Sequence, residues 1–237
     1  MKKNPSLFSN SRGFTLVELL VVIVIVATLA AISFTVGPKM MRNGEAAKSV
    51  QNMRQIGSVL MTYAVDNNSK LPPPRGEDSS GNEVHWHQAL LALTYPDVDT
   101  SKFNDKEWWN NNNPFLKNPL MKAKSKPNAF EPWFPGYAMN REIATNLGLD
   151  NGDWGKGKGG PQTQGIPLGS ISDTARTPVV VPRYDWHYIG QDLVKTDMEF
   201  LLVEGKLPVL FVDGHAESMR PQEYLDRHLD QAPTFKK

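Results

Sequence analysis

The chain has 237 residues, enough for one ordinary domain or for a domain with an extension. Its 26 basic and 25 acidic residues leave a formal charge of +1, so the basic excess of a nucleic-acid-binding surface is missing and no nucleic-acid partner is expected. It contains no cysteine, which excludes disulfides, thiolate zinc sites and thiol nucleophiles without fixing the compartment.

Hydropathy is concentrated near one end. Phe14 to Val36 reads FTLVELLVVIVIVATLAAISFTV, 23 residues with a single charge, Glu18. About 20 apolar residues are enough to cross a bilayer as a helix. Lys2, Lys3 and Arg12 precede the run, and no acidic residue comes before Glu18. The positive-inside rule then predicts one crossing, with the N-terminus in the cytoplasm and the C-terminal bulk outside.

Three readings compete for this segment. A secretory signal peptide wants an apolar core of about 7–15 residues and a small-residue cut site. Ala27-Thr28-Leu29-Ala30-Ala31 imitates such a site, but the apolar run is too long. A plain signal anchor fits the length and leaves Glu18 unexplained. A carboxylate held in lipid costs roughly 2.5–3.5 kcal/mol on insertion scales, so it usually has a partner and a function.

The third reading accounts for Glu18. Ser11-Arg12-Gly13-Phe14-Thr15-Leu16-Val17-Glu18 resembles the processing site of type IV prepilins and type II secretion pseudopilins. The resemblance implies a basic leader over residues 1–13, removed by a prepilin peptidase that cuts between Gly13 and Phe14 and N-methylates Phe14. It also implies that Glu18, at mature position five, acts in assembly. There the carboxylate of one subunit offsets the new α-amine of a neighbour in a low-dielectric setting, which rewards a fixed axial stagger. The implied partners are the peptidase, other pilin or pseudopilin subunits, an inner-membrane assembly platform and the lipid bilayer. A residue snorkelling to the cytoplasmic interface is the plain alternative for Glu18.

Beyond the span, Gly37-Pro38 predicts a kink, because proline removes a helix hydrogen bond and clashes one turn back. Helical patterning resumes from Lys39 to about Asp66. Ala46, Val50, Met53, Gly57, Leu60 and Ala64 fall on one face, with Arg42, Lys48, Gln51, Arg54 and Gln55 mostly off it. The two halves make one long kinked helix: residues 14–36 in the membrane and 37–68 as an amphipathic continuation. At about 1.5 Å per residue it spans roughly 75 Å. Asn67, Asn68 and the prolines at 72–74 end it.

Residues 69–237 are expected to form a periplasmic α+β head. Residues 52–73 resemble a segment of pilin-like proteins of planctomycete and verrucomicrobial type, and Gly136-Tyr137-Ala138-Met139-Asn140 resembles a short segment of the same branch. His85 to Leu93 reads as a short helix or a buried turn. Trp108-Trp109, the asparagines at 110–113 and scattered prolines read as long surface loops, as does the glycine-rich stretch 148–169. Pro178 to Pro182 is a short strand. Met198–Val203, Leu207–Val212 and His215–Met219 read as three consecutive strands of a small antiparallel sheet. Glu204-Gly205 makes the first turn, and Asp213-Gly214 suits a two-residue type I′ turn. Pro221 starts a final helix reaching about Asp230, with Tyr224, Leu225 and Leu229 facing inward.

Phe211, Asp213, Gly214, His215 and Glu217 also resemble the Asp-Gly-His element near the C-terminus of that branch. Val203 stands where the fuller pattern carries a histidine, with nine residues between it and Asp213-Gly214, so the chain departs from it there.

The five histidines offer no zinc-protease spacing, and no transition-metal site is expected. Asp150-Asn151-Gly152-Asp153 raises calcium but lacks the alternating acids of an EF-hand loop, so no cofactor is expected, with calcium as the alternative. No nucleophile elbow and no phosphate-binding glycine loop is present, and the chain is read as a non-enzyme. The other reading is a membrane-tethered periplasmic module that binds carbohydrate through its tryptophans.

Overall fold

A computed structural model describes residues 14–77, 83–112, 115–123, 136–149, 165–183, 188–189 and 201–230. Two compact units divide between Arg42 and Asn43. The first is the N-terminal part of helix α1, Leu16–Asp66. Leucine, isoleucine, valine and alanine fill its first turns. No described residue of this unit covers them, and Leu16, Leu20, Ile23, Leu29 and Phe34 are all exposed. The helix is long and apolar enough to cross a membrane. Its two described hydroxyls in mid-span are satisfied internally: Thr28 donates to the Ile25 carbonyl and Ser33 to the Leu29 carbonyl, each at 2.8 Å. Pro38 lies inside the helix.

The second unit has the expected α+β character. Along α1, Met53, Ile56, Gly57, Leu60 and Ala64 are buried, while Lys48, Gln51, Arg54 and Gln55 are exposed. The predicted stripe is therefore the packing face, although Ala46 and Val50 are only half-buried and Ile56 joins it. Two polar residues share the face and are satisfied. Ser49 Oγ lies 3.2 Å from the Tyr137 hydroxyl, and the Asn52 amide donates to the Lys117 carbonyl at 2.9 Å. The helix stops where the sequence predicts. Asn68 and Ser69 take left-handed φ of 55° and 58°, and the Ser69 N–H caps the Ala64 carbonyl at 2.8 Å.

Short elements follow. Strand β1 (Lys70–Leu71) is followed by the hairpin β2 (Arg75–Glu77) and β3 (Glu83–His85), and then by helix α2 (Trp86–Thr94). Helix α3 (Lys106–Asn112) lies where a surface loop was expected, and Trp109 within it is fully buried. Asp105 makes the difference, because its carboxylate accepts the Trp108 N–H at 2.8 Å and nucleates the helix. Asn112 then bonds back to the Trp108 carbonyl at 3.0 Å. Asn113 lies outside the described residues.

Strand β4 (Tyr137–Asn140), helix α4 (Glu142–Asn146), strand β5 (Ile166–Pro167), paired with β1, and strands β6 (Pro178–Pro182) and β7 (Tyr188–Ile189) come next. Strands β8 (Leu207–Phe211) and β9 (Ala216–Met219) and helix α5 (Pro221–Asp230) complete the described chain. The main sheet has the order β7-β4-β6-β8-β9, antiparallel except for the β4–β7 pair. Every residue of β6 and β8 is buried, as continuous apolar runs imply. One face of the sheet offers Tyr137, Met139, Val180 and Leu210 to α1, α2 and α3. The other offers Ala138, Val181, Val209 and Phe211 to Tyr224 of α5 and to Leu120 and Met121. The side chains of Leu225 and Leu229 lie outside the described ones.

Two details of the expected meander differ. Among the described part of Met198–Val203, only Val203 pairs, in an isolated bridge to Lys206, and β6 takes the place beside β8. Glu204 and Gly205, at φ 54° and 74°, form the tight turn with both central residues left-handed. By contrast, the Asp213-Gly214 turn is not of type I′. Gly214 alone is left-handed, at φ 91°, and the hairpin closes over three residues, with Gly214 N–H on the Phe211 carbonyl at 3.0 Å and Phe211 N–H on the His215 carbonyl at 2.9 Å. Asp213 stays right-handed because its carboxylate Oδ1 accepts the His215 N–H at 3.1 Å.

Candidate processing and assembly site

The residues singled out at the N-terminus sit at the opening of α1. Gly13 lies outside the described residues. Phe14 is exposed and precedes the helix. Glu18 falls in the first turn, at the third helical position, three residues after Thr15. One of its oxygens, Oε2, accepts both the Thr15 backbone N–H and the Thr15 hydroxyl, each at 2.8 Å. The Thr15 oxygen in turn accepts the Glu18 N–H at 3.2 Å. This reciprocal arrangement is a capping box, in which threonine and glutamate each satisfy a backbone donor that the helix start leaves without a partner. A carboxylate at this end also complements the positive pole of the helix dipole. Charge reasoning alone passes over Thr15, but Thr-x-x-Glu directly ahead of an apolar run carries that signal in the sequence.

Among the described residues no three histidine, aspartate or glutamate side chains gather to hold a metal. His85 and His87 are buried rather than on the surface, their rings stacked with centroids 5.5 Å apart. The His85 backbone N–H donates to the Gln88 side chain at 2.8 Å, and Glu83 Oε1 lies 3.4 Å from His85 Nε2. Burial is the main cause that lowers the His85 pKa to about 4, with Glu83 acting against it and Arg75 with it. His187 and the acidic stretch from Asp150 to Asp153 lie outside the described residues.

The Asp-Gly-His element has a structural explanation. Asp213 Oδ1 is 2.6 Å from His215 Nδ1, and the His215 ring lies flat on Phe211 at 4.4 Å. Arg227 of α5 pairs with Glu217 at 2.6 Å and approaches the Phe211 ring at 5.8 Å. The hairpin tip rests on α1. A Cβ at Gly57 would come within 2.9 Å of Leu210 Cδ1 and 3.0 Å of the Gly214 carbonyl oxygen, so glycine is what lets the two backbones approach. Trp86 and Trp109 are core residues and offer no face to a sugar. Trp133, Trp154 and Trp186 lie outside the described residues.

Residues 8–34 match the prokaryotic N-terminal methylation motif. The matched stretch takes in Gly13, Phe14, Thr15, Glu18 and the greater part of the apolar run, and it ends before the head. No curated protein and no solved structure matches the chain.

Proposed function

We propose that the protein is a pilin-like structural subunit, a prepilin or pseudopilin assembled into a type II secretion pseudopilus or a type IV pilus-like filament. The observation that carries this reading is the methylation motif over residues 8–34 at the head of an exposed apolar helix. On this reading residues 1–13 are a leader and 14–36 a single inner-membrane span with its N-terminus cytoplasmic. Residues 37–68 continue the helix, and 69–237 form the periplasmic head. Prepilin peptidase cuts between Gly13 and Phe14 and methylates Phe14. Glu18 then selects the register by pairing with the α-amine of a neighbour on the assembly platform, as helices of other subunits replace lipid around the span. The head works by packing, and no step of catalysis is assigned to it.

The test is the mass of the N-terminal peptide of membrane-extracted protein, with and without prepilin peptidase. A mature chain that begins at N-methylated Phe14 is expected. A chain that keeps residues 1–13, or one cut near Ala31, overturns the reading.

A further inference from the structure

We propose that the head grips α1 in one axial register through two keys, a gap at Gly57 and a polar contact at Ser49 and Asn52, so that any displacement of the helix along its axis is carried into the sheet. The grip belongs to the head alone and goes beyond the filament reading. At the first key, Gly57 admits the tip of the β8–β9 hairpin, and a Cβ there would meet Leu210 Cδ1 at 2.9 Å and the Gly214 carbonyl oxygen at 3.0 Å. At the second, Ser49 Oγ lies 3.2 Å from the Tyr137 hydroxyl, and the Asn52 amide donates to the Lys117 carbonyl at 2.9 Å. Ser49, Asn52 and Tyr137 are all buried. Ser49 and Gly57 stand eight positions apart, about 12 Å along the helix.

The apolar stripe by itself does not fix the register, because it repeats every three or four residues and presents a similar ridge after one turn. A polar residue buried at one point of such a seam does fix it, at some cost in stability. Displacing α1 by four residues in one direction brings Met61 to the gap, Met53 to the Tyr137 hydroxyl and Ile56 to the Lys117 carbonyl. That register adds a clash and takes both polar contacts away. Four residues the other way bring Met53 to the gap and draw Glu45 and Lys48 into the buried places of Ser49 and Asn52. Displacement by three brings Leu60 or Arg54 to the gap. In the Leu60 case Asn52 and Gln55 still meet the polar groups, so the gap alone rejects that register. The gap therefore opposes every displacement of one turn, and the polar contact adds to it in all but this one.

That exception gives the test. The full chain in non-ionic detergent carries nitroxides on Gln51→Cys and Ser218→Cys, exposed positions in a cysteine-free chain, and their separation is read by pulsed electron resonance. A second pair, Gln51→Cys with Lys102→Cys, views the helix from another direction. Wild type should give one narrow distance for each pair. Exchanging Gly57→Leu with Leu60→Gly moves the gap by three residues and keeps the polar contact, so at least one pair should shift cleanly, by up to about 4.5 Å. Gly57→Met with Met61→Gly moves the gap by four but sets Met53 and Ile56 against the polar groups, and should give only a broadened distribution. Unshifted distances in the first exchange, or a clean shift in the second, overturn the proposal. Urea unfolding of milder variants decides the case in which the exchanged chains do not fold. Sites this far apart ordinarily act independently, but two keys on one rigid helix are coupled, so Gly57→Ala should lower the folding constant about fivefold less in the Asn52→Ala, Tyr137→Phe background than in wild type. Equal losses in the two backgrounds overturn the proposal.

Discussion

Acidification should loosen the head through one imidazole. His85 is 5% exposed, at the end of β3, with the His87 ring stacked on it and the Arg75–Glu83 ion pair at its edge. Burial holds its pKa at about 4, against 6.5 for an ordinary histidine. Above pH 6.5 the ring is neutral in both the folded and the unfolded chain and adds no pH dependence. Below that, the unfolded chain takes up a proton that the folded chain refuses, so stability falls as the pH falls. At about 1.4 kcal/mol per pH unit, the window from 6.5 down to about 4 removes roughly 3 kcal/mol. That is a large share of the roughly 5–15 kcal/mol that holds a typical domain together. The assay is urea unfolding of the full chain in non-ionic detergent across this window, for wild type and His85→Gln. Wild type should lose stability steeply, and the variant should lose distinctly less. Equal slopes would refute the argument, because the acid sensitivity would then belong to other groups.

Three further outcomes are expected. Gly57→Ala should destabilise the head by about 1–3 kcal/mol in denaturant unfolding, since its Cβ meets Leu210 and the Gly214 backbone at 2.9 and 3.0 Å. Trp109→Ala should cost about 3–5 kcal/mol, the scale of an aromatic removed from a core. It should change no carbohydrate binding on a glycan array, whereas a tethered sugar-binding module relying on that ring would lose signal. Asp213→Ala removes the acceptor of the His215 N–H and should lower the thermal midpoint by an amount equivalent to about 0.5–1.5 kcal/mol.

Much of the head was legible where apolar residues run together or repeat with one period. The buried strands β6 and β8, the packing stripe of α1 and the proline-led α5 follow from pattern alone. Helix α3 did not, because two tryptophans and three asparagines, all weaker helix formers, make up five of its seven residues. It exists through a local cap, Asp105 on the Trp108 N–H, and through the burial of Trp109, which only the tertiary fold supplies. The Asp213-Gly214 dipeptide misled for a related reason. The side chain of Asp213 had a use, accepting from His215, that a two-residue turn would have denied it. At the N-terminus the charge of Glu18 stands out against the lipid-like run, whereas its hydrogen bonding to Thr15 follows from the helix start, a demand that hydropathy does not show.

The hydroxyls of Thr28 and Ser33, folded back onto Ile25 and Leu29, carry a mechanical consequence. With those groups turned onto the backbone, the sides of the apolar run meet a lipid tail or another helix almost entirely through hydrocarbon. Among the described side chains between Glu18 and Ser33, such a surface has no catch to resist sliding or spinning about its long axis. Among the described side chains it is a greased shaft with one polar notch, at Thr15 and Glu18, so friction along it is low except at that end.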